Sequence, residues 1–239
     1  MALFSYFSSN GRSLETEKSK RMDYTSGDEY EDAGTGTALS SIADAFEEIS
    51  DLIIKHDDGG HSVDLRLKPF CDACSFVSVL FGCLGIAFKF AEMEYTSKVR
   101  DLTEASERFV TLRNVVDYDI GNNTVKSPGS LTRNLRRVRQ GLDLIRQLFQ
   151  NFLITNDYSL KEAASSAYQQ VCAPYHTWAV RTAVSAGMCA LPSRDQLLSN
   201  LNESEPSAAK EMRRYIKASL PVIMYIDNLY ISRGITLDW

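Results

Sequence analysis

Residues 130–153 read SLTRNLRRVRQGLDLIRQLFQNFL, and their spacing predicts a single helix with two different faces. Leu131, Leu135, Val138, Leu142, Ile145, Phe149 and Phe152 recur at steps of three and four, which places them on one stripe of a 3.6-residue period. The opposite face begins with Arg133 and Arg137 and continues with Leu144 and Leu148. A helix that is apolar along one side, and turns from charged to apolar along the other, is expected to lie between two layers. One side meets the core. The other suits a ligand with a charged head and an apolar tail.

Working outward, the same helical period governs the rest of the chain. Leu39, Ile42, Phe46, Ile49 and Ile53 form a first amphipathic stretch, closed by Asp57-Asp58-Gly59-Gly60. A long helix is predicted from about Leu65 to Ser106, apolar nearly all round in its first half. Residues 107–120 form another, ended by Gly121-Asn122-Asn123, with Ser127-Pro128-Gly129 as a loop before residue 130. Downstream, helices are predicted over 159–173, 176–191, 194–202 and 206–233, with Pro174, Pro192 and Pro206 at the breaks. Pro221 is expected to kink or split the last one. No stretch alternates as a strand does, so the fold class is all-α. Residues 1–37 are rich in Ser, Gly and charge, include the acidic run Asp28 to Asp32, and read as a disordered tail. Residues 38–239 read as the folded domain.

Composition narrows the function. The chain has 239 residues, 44% hydrophobic and 24% charged, enough to build a core without disulfides or metal. A net charge of −5 argues against a nucleic-acid partner, so any anion site must be a local cluster of basic residues. The five cysteines, Cys71, Cys74, Cys83, Cys172 and Cys189, sit in apolar segments and read as free thiols in a reducing, cytoplasmic compartment. Cys71 and Cys74 have the spacing of half a zinc site, but no second pair follows and His56, His61 and His176 are scattered, so no metal and no cofactor are expected. The N-terminus lacks the apolar run of a signal peptide. The longest uncharged run, Ala73 to Phe88, has 16 residues against the roughly 20 of a membrane span, and reads as a buried helix.

Four groups of side chains carry the candidate chemistry. Glu94 and Lys98 are four apart, as are Arg133 and Arg137, so each pair shares a helix face. His176 and Trp178 follow Pro174 near a helix start. Each has a plain reading: a surface ion pair, solvated arginines beside Arg136 and Arg139, a structural histidine, a core tryptophan. The pattern alone leaves a helical domain with a possible anion site.

Four stretches extend that reading. Phe81 to Met93 (FGCLGIAFKFAEM), Thr132 to Leu135 (TRNL), Tyr175 to Trp178 (YHTW), and Tyr225 to Leu229 running on to Leu237-Asp238-Trp239 closely resemble the glycolipid transfer protein family, in its phosphosphingolipid-binding branch. The resemblance covers residues 38–239 in matching order. It implies a two-layer helical sandwich of about eight helices, with a lipid headgroup at the surface and the lipid chains in a collapsible apolar pocket. Carried over by position, Lys98, Arg133 and Arg137 hold the phosphate, and His176 bonds the ceramide amide oxygen. Glu94 stands where the family usually has aspartate, as acceptor for the amide N–H and a hydroxyl. Thr177 stands where glycine is common. Cations at 98 and 137, where the sugar-binding branch has Asn and Trp, favour a phosphomonoester, because arginine presents a planar fork to phosphate oxygens. The implied ligand is ceramide-1-phosphate or its phytoceramide relative. It would be moved between membranes without catalysis through a peripheral contact at Trp178. The apolar sleeve is expected from Phe76, Val79, Leu80, Leu84, Phe88, Leu144 and Leu148. Rival readings are a lipid sensor or regulatory scaffold, an enzyme using His176, and a helical interaction domain with an empty pocket.

Overall fold

The computed structural model describes residues 36–57, 64–85, 88–154 and 160–239. The expected tail therefore falls, apart from Gly36 and Thr37, outside the described residues. The described residues form nine α-helices: α1 (Ala38–Asp57), α2 (Leu67–Cys83), α3 (Lys89–Ala105), α4 (Leu112–Gly121), α5 (Leu131–Ile154), α6 (Leu160–Val171), α7 (Trp178–Gly187), α8 (Arg194–Asn200) and α9 (Glu205–Ile231). Short 3₁₀ turns at Ala173–Tyr175 and Met188–Ala190 flank α7. The helices form the expected two-layer sandwich, and no strand occurs among the described residues.

Two expectations change. The single helix over residues 65–106 is two helices, α2 and α3, because Gly85 takes a φ of +87°, a left-handed backbone that ends helical propagation. Conversely, of the kink or split expected at Pro221, the split does not occur: α9 runs unbroken from Glu205 to Ile231. The carbonyl that loses its N–H partner there belongs to Lys217, an exposed residue.

The stripe that predicted α5 is the centre of the core. Leu135, Val138 and Leu142 are fully buried, with Ile145, Phe149 and Phe152 nearly so. α5 packs on α3, α4, α6 and α9, and the circuit closes through α9 to α1, α1 to α2 and α2 to α3. Phe149 and Phe46 both meet the ring of Tyr215 edge-on, at 5.6 and 5.2 Å. Three of the buried tyrosine hydroxyls donate to backbone carbonyls: Tyr95 to Cys74 (3.1 Å), Tyr215 to Leu142 (3.1 Å) and Tyr230 to Thr132 (2.6 Å). These bonds tie α3 to α2 and, at two points, α9 to α5.

Candidate functional site

The first turn of α5 is fixed before its arginines project. The Ser130 hydroxyl accepts from the Arg133 N–H at 3.2 Å, and the buried Asp119 carboxylate of α4 accepts from the Thr132 N–H at 2.7 Å. Both satisfy free donors of a helix start, and the carboxylate sits well in the helix field.

The register of α3 against α5 follows from two contacts. The Tyr95 ring lies on Gly141, where a Cβ would come within 2.6 Å of it. The Asn134 amide donates to the Asp101 carboxylate at 3.0 Å. The numbers run in opposite directions, so the helices are antiparallel and Lys98 lies level with Arg137. Glu94, Lys98 and Asp101 share one face of α3, and Arg133, Asn134, Arg137 and Gly141 share the facing side of α5.

Around that crossing the sequence-predicted residues meet. Lys98, 22% exposed, pairs with Glu94, 66% exposed, at 3.5 Å. Arg137 is half-buried, and its Nη1 donates to Gln140 Oε1 at 2.7 Å. Burial, then the neighbouring charges of Arg133 and Arg136, push its pKa down, with Glu94 opposing. Arg133 Nη1 donates to the Lys126 carbonyl at 2.8 Å. His176 Nδ1 lies 2.9 Å from the Tyr168 hydroxyl. Burial and the Arg137 charge lower the histidine's pKa, while burial raises that of Tyr168. A neutral imidazole beside a protonated phenol has two arrangements: Nδ1 accepts from Tyr168 and Nε2 carries the N–H, or Nδ1–H donates to the phenol oxygen.

The charge accounting on α5 separates two kinds of arginine. Arg139 pairs with Asp143 and Asp227, and Arg146 with Asp143. Arg133, Arg136 and Arg137 have no carboxylate within ion-pairing distance among the described residues. Arg136 was expected among the surface charges. Instead it is 3% exposed, donates to the Leu237 carbonyl at 2.7 Å, and lies over the Tyr175 ring at 5.5 Å. Three arginines in five residues without a paired acid, with Lys98 opposite, concentrate positive charge at this crossing, an arrangement that suits an anion. Gln140, Tyr168 and Arg136 were not singled out from the sequence. Their partners lie three, eight and 101 residues away, and only the Arg136 position, on the arc shared with Arg133 and Arg137, gave any signal.

Behind the cations the layers are closed. Leu80, Leu84 and Leu148 are buried, and Phe88 and Leu144 are partly buried against the same core. Phe76 and Val79 depart from the expected sleeve, being 44% and 49% exposed on the outer side of α2. Trp178 opens α7 with 74% of its surface exposed, and no residue of α7 is buried. The Thr177 hydroxyl caps this helix by accepting from the Val180 N–H at 3.4 Å. The Cys172 thiol, near Arg137, is pushed up to about 12 by burial, so it offers no thiolate at neutral pH. Among the described residues no cluster of His, Cys, Asp or Glu is arranged to hold a metal. No helix there is long and apolar enough to cross a membrane.

Comparison with known proteins places this geometry in context. The model of the glycolipid transfer protein family matches residues 65–203. The ACD11 homolog protein of Arabidopsis thaliana is 62% identical over 208 residues, covering 87% of this chain and 91% of the relative. Ceramide-1-phosphate transfer protein of Mus musculus is 30% identical over 161 residues, covering 61% of this chain and 73% of the relative. Among solved structures, a mutant of Arabidopsis ACD11 (accelerated-cell-death 11) complexed with C12 ceramide-1-phosphate superposes with a TM-score of 0.81. It is 44% identical, and the match covers 85% of this chain and all of that one (100%).

Proposed function

Since the chain belongs to the glycolipid transfer protein family, we propose that it carries ceramide-1-phosphate, or the phytoceramide form, between membranes without changing a covalent bond. The observation that carries this reading is the acid-free run of Arg133, Arg136 and Arg137 facing Lys98. A neutral sugar would leave that charge unpaired, whereas a phosphomonoester neutralises it with short, charge-assisted bonds. The names of relatives that bind or transfer ceramide-1-phosphate support the same choice.

In this reading Lys98, Arg133 and Arg137 grip the phosphate. His176 Nε2–H donates to the amide carbonyl, in the arrangement where Nδ1 accepts from Tyr168. Glu94 accepts from the amide N–H and a sphingoid hydroxyl. The longer glutamate arm reaches toward solvent, which fits its high exposure and places the amide nearer the mouth. The lipid chains part the layers behind Arg137, between Leu80, Leu84, Phe88, Leu144 and Leu148. A sixteen-carbon chain left in water would cost about 13 kcal/mol at about 0.8 kcal/mol per CH₂, so an apolar sleeve is what lets the chain leave a membrane without incurring that cost.

Delivery needs contact with a leaflet. Trp178, beside His176 and exposed, has the amphipathic ring that favours a membrane interface. The protein is then a peripheral, cytoplasmic carrier. The test is transfer of fluorescent ceramide-1-phosphate between vesicles. Arg133→Ala should nearly abolish transfer with the helical circular dichroism unchanged. Normal transfer by that variant would overturn the proposal. Lipid retained when acceptor vesicles are added would replace a carrier with a sensor.

A further inference from the structure

The segment following α9 is wired to the cationic cluster at two points. Lys126 supplies the carbonyl that accepts from Arg133 at 2.8 Å, and its ammonium lies 5.4 Å from the centroid of the Trp239 ring. The same ammonium donates to the Thr236 hydroxyl at 3.4 Å. Trp239 is itself held by its indole N–H, which donates to the Thr236 carbonyl at 2.7 Å. At the second point, the Leu237 carbonyl accepts from Arg136 at 2.7 Å, and Arg136 lies over the ring of Tyr175, the residue before His176. Leu237 and Trp239 also pack against the core, so the segment is anchored and not a loose end.

We propose that residues 236–239 are a strap that positions the phosphate grip, with Trp239 acting through Lys126 on Arg133, and Leu237 acting through Arg136 on the Tyr175–His176 corner. The inference rests on the phosphate reading above. Three arginines without acids repel one another, and side chains under mutual repulsion spread unless something holds them. Here two are held by carbonyl oxygens, which accept hydrogen bonds without neutralising charge. The phosphate thus meets cations that are aligned and still unpaired. The strap secures one of those carbonyls directly and the loop bearing the other. Preorganisation of this kind appears in affinity because the ligand no longer orders the side chains on arrival.

The test uses the full chain and short-chain fluorescent lipids at equilibrium, ceramide-1-phosphate beside phosphate-free ceramide. Trp239→Ala and Lys126→Met should each weaken ceramide-1-phosphate binding by about five- to tenfold, and the pair together by little more than either alone. Trp239→Phe, which keeps an aromatic face for Lys126, should recover part of the loss. The decisive reading is coupling: Arg133→Ala should cost less in the Trp239→Ala background than in the native chain, while binding of ceramide barely changes. A merely structural role would lower both lipids alike and leave the cost of Arg133→Ala unchanged, and either result overturns the strap. If Trp239→Ala fails to fold, Lys126→Met provides the same coupling measurement. If the native chain binds no ceramide-1-phosphate at all, the underlying phosphate reading fails, an outcome distinct from a strap that has no effect.

Discussion

Arg137→Met separates what the cationic cluster does for binding from what it does to the fold. In the native chain the Arg137 charge is opposed by burial and by Arg133 and Arg136. Removing it relieves that crowding, and methionine fills the half-buried space with a flexible apolar chain. The loss on the other side is the bond to Gln140, whose Oε1 would then be a buried acceptor without its donor, at a cost of about 1 kcal/mol. The two effects oppose each other, so the lipid-free protein should unfold within about 1 kcal/mol of the native chain. Binding should behave differently. A guanidinium gripping phosphate through two charge-assisted bonds, at about 1.5–3 kcal/mol each, contributes roughly 3–6 kcal/mol. At about 1.4 kcal/mol per factor of ten, ceramide-1-phosphate affinity should fall about 10²- to 10⁴-fold. Denaturant melts and equilibrium binding on one preparation give both numbers. If affinity and stability fall together, or if affinity is unchanged, Arg137 is an ordinary structural arginine and the argument from uncompensated charge is wrong.

Other expectations follow from the same geometry. Because burial and the Arg137 charge hold the His176 pKa below its ordinary value of 6.5, the folded state takes up this proton later than the unfolded chain. The His176 contribution to stability is thus full above that value and is lost as pH falls from there through the depressed folded pKa; a bound phosphate should reduce the loss, read as melting temperature with and without lipid. Tyr168→Phe removes the partner of His176 Nδ1; if that partner holds the imidazole proton on Nε2, ceramide-1-phosphate affinity falls about three- to tenfold with little change in melting temperature, and unchanged affinity shows that the tautomer is set elsewhere. Trp178→Ala should slow transfer between vesicles several-fold while leaving equilibrium lipid binding near native, and equal losses in both would place Trp178 at the lipid instead of the membrane. Arg137→Trp with Lys98→Asn, two positions level with each other across the α3–α5 crossing, should admit a glycolipid. No glycolipid uptake would mean that the mouth of the pocket, not this pair, sets the headgroup class.

The limits of the sequence reading are physical. The α5 stripe was legible because every residue in it answers to one local rule, a 3.6-residue period, and the structure buries it as that rule requires. The pairs Glu94/Lys98 and Arg133/Arg137 were legible for the same reason. The break between α2 and α3 was not, since the apolar run continues across it and only Gly85, through its positive φ, marks the stop. At Pro221 the sequence allowed a kink or a split, and choosing between them depends on how the neighbouring layers hold α9 together, which is a tertiary fact.

Arg136 is the instructive failure. A charged residue on a helix is read as solvated because burying it unpaired is costly. Here part of the cost is offset by a carbonyl 101 residues on and by an aromatic face, neither of which has a signature at fixed spacing. These non-local partners hold Arg136 beside Arg133 and Arg137 without neutralising its charge. An ion pair would have made Arg136 easier to place and the site electrically quiet. A fold whose only aim was stability would put an acid within reach of these arginines, as it does at Arg139 and Arg146. The absence of one at Arg133, Arg136 and Arg137, the last of which acts on His176, is therefore the feature that local pattern could not supply and on which the proposed anionic headgroup rests.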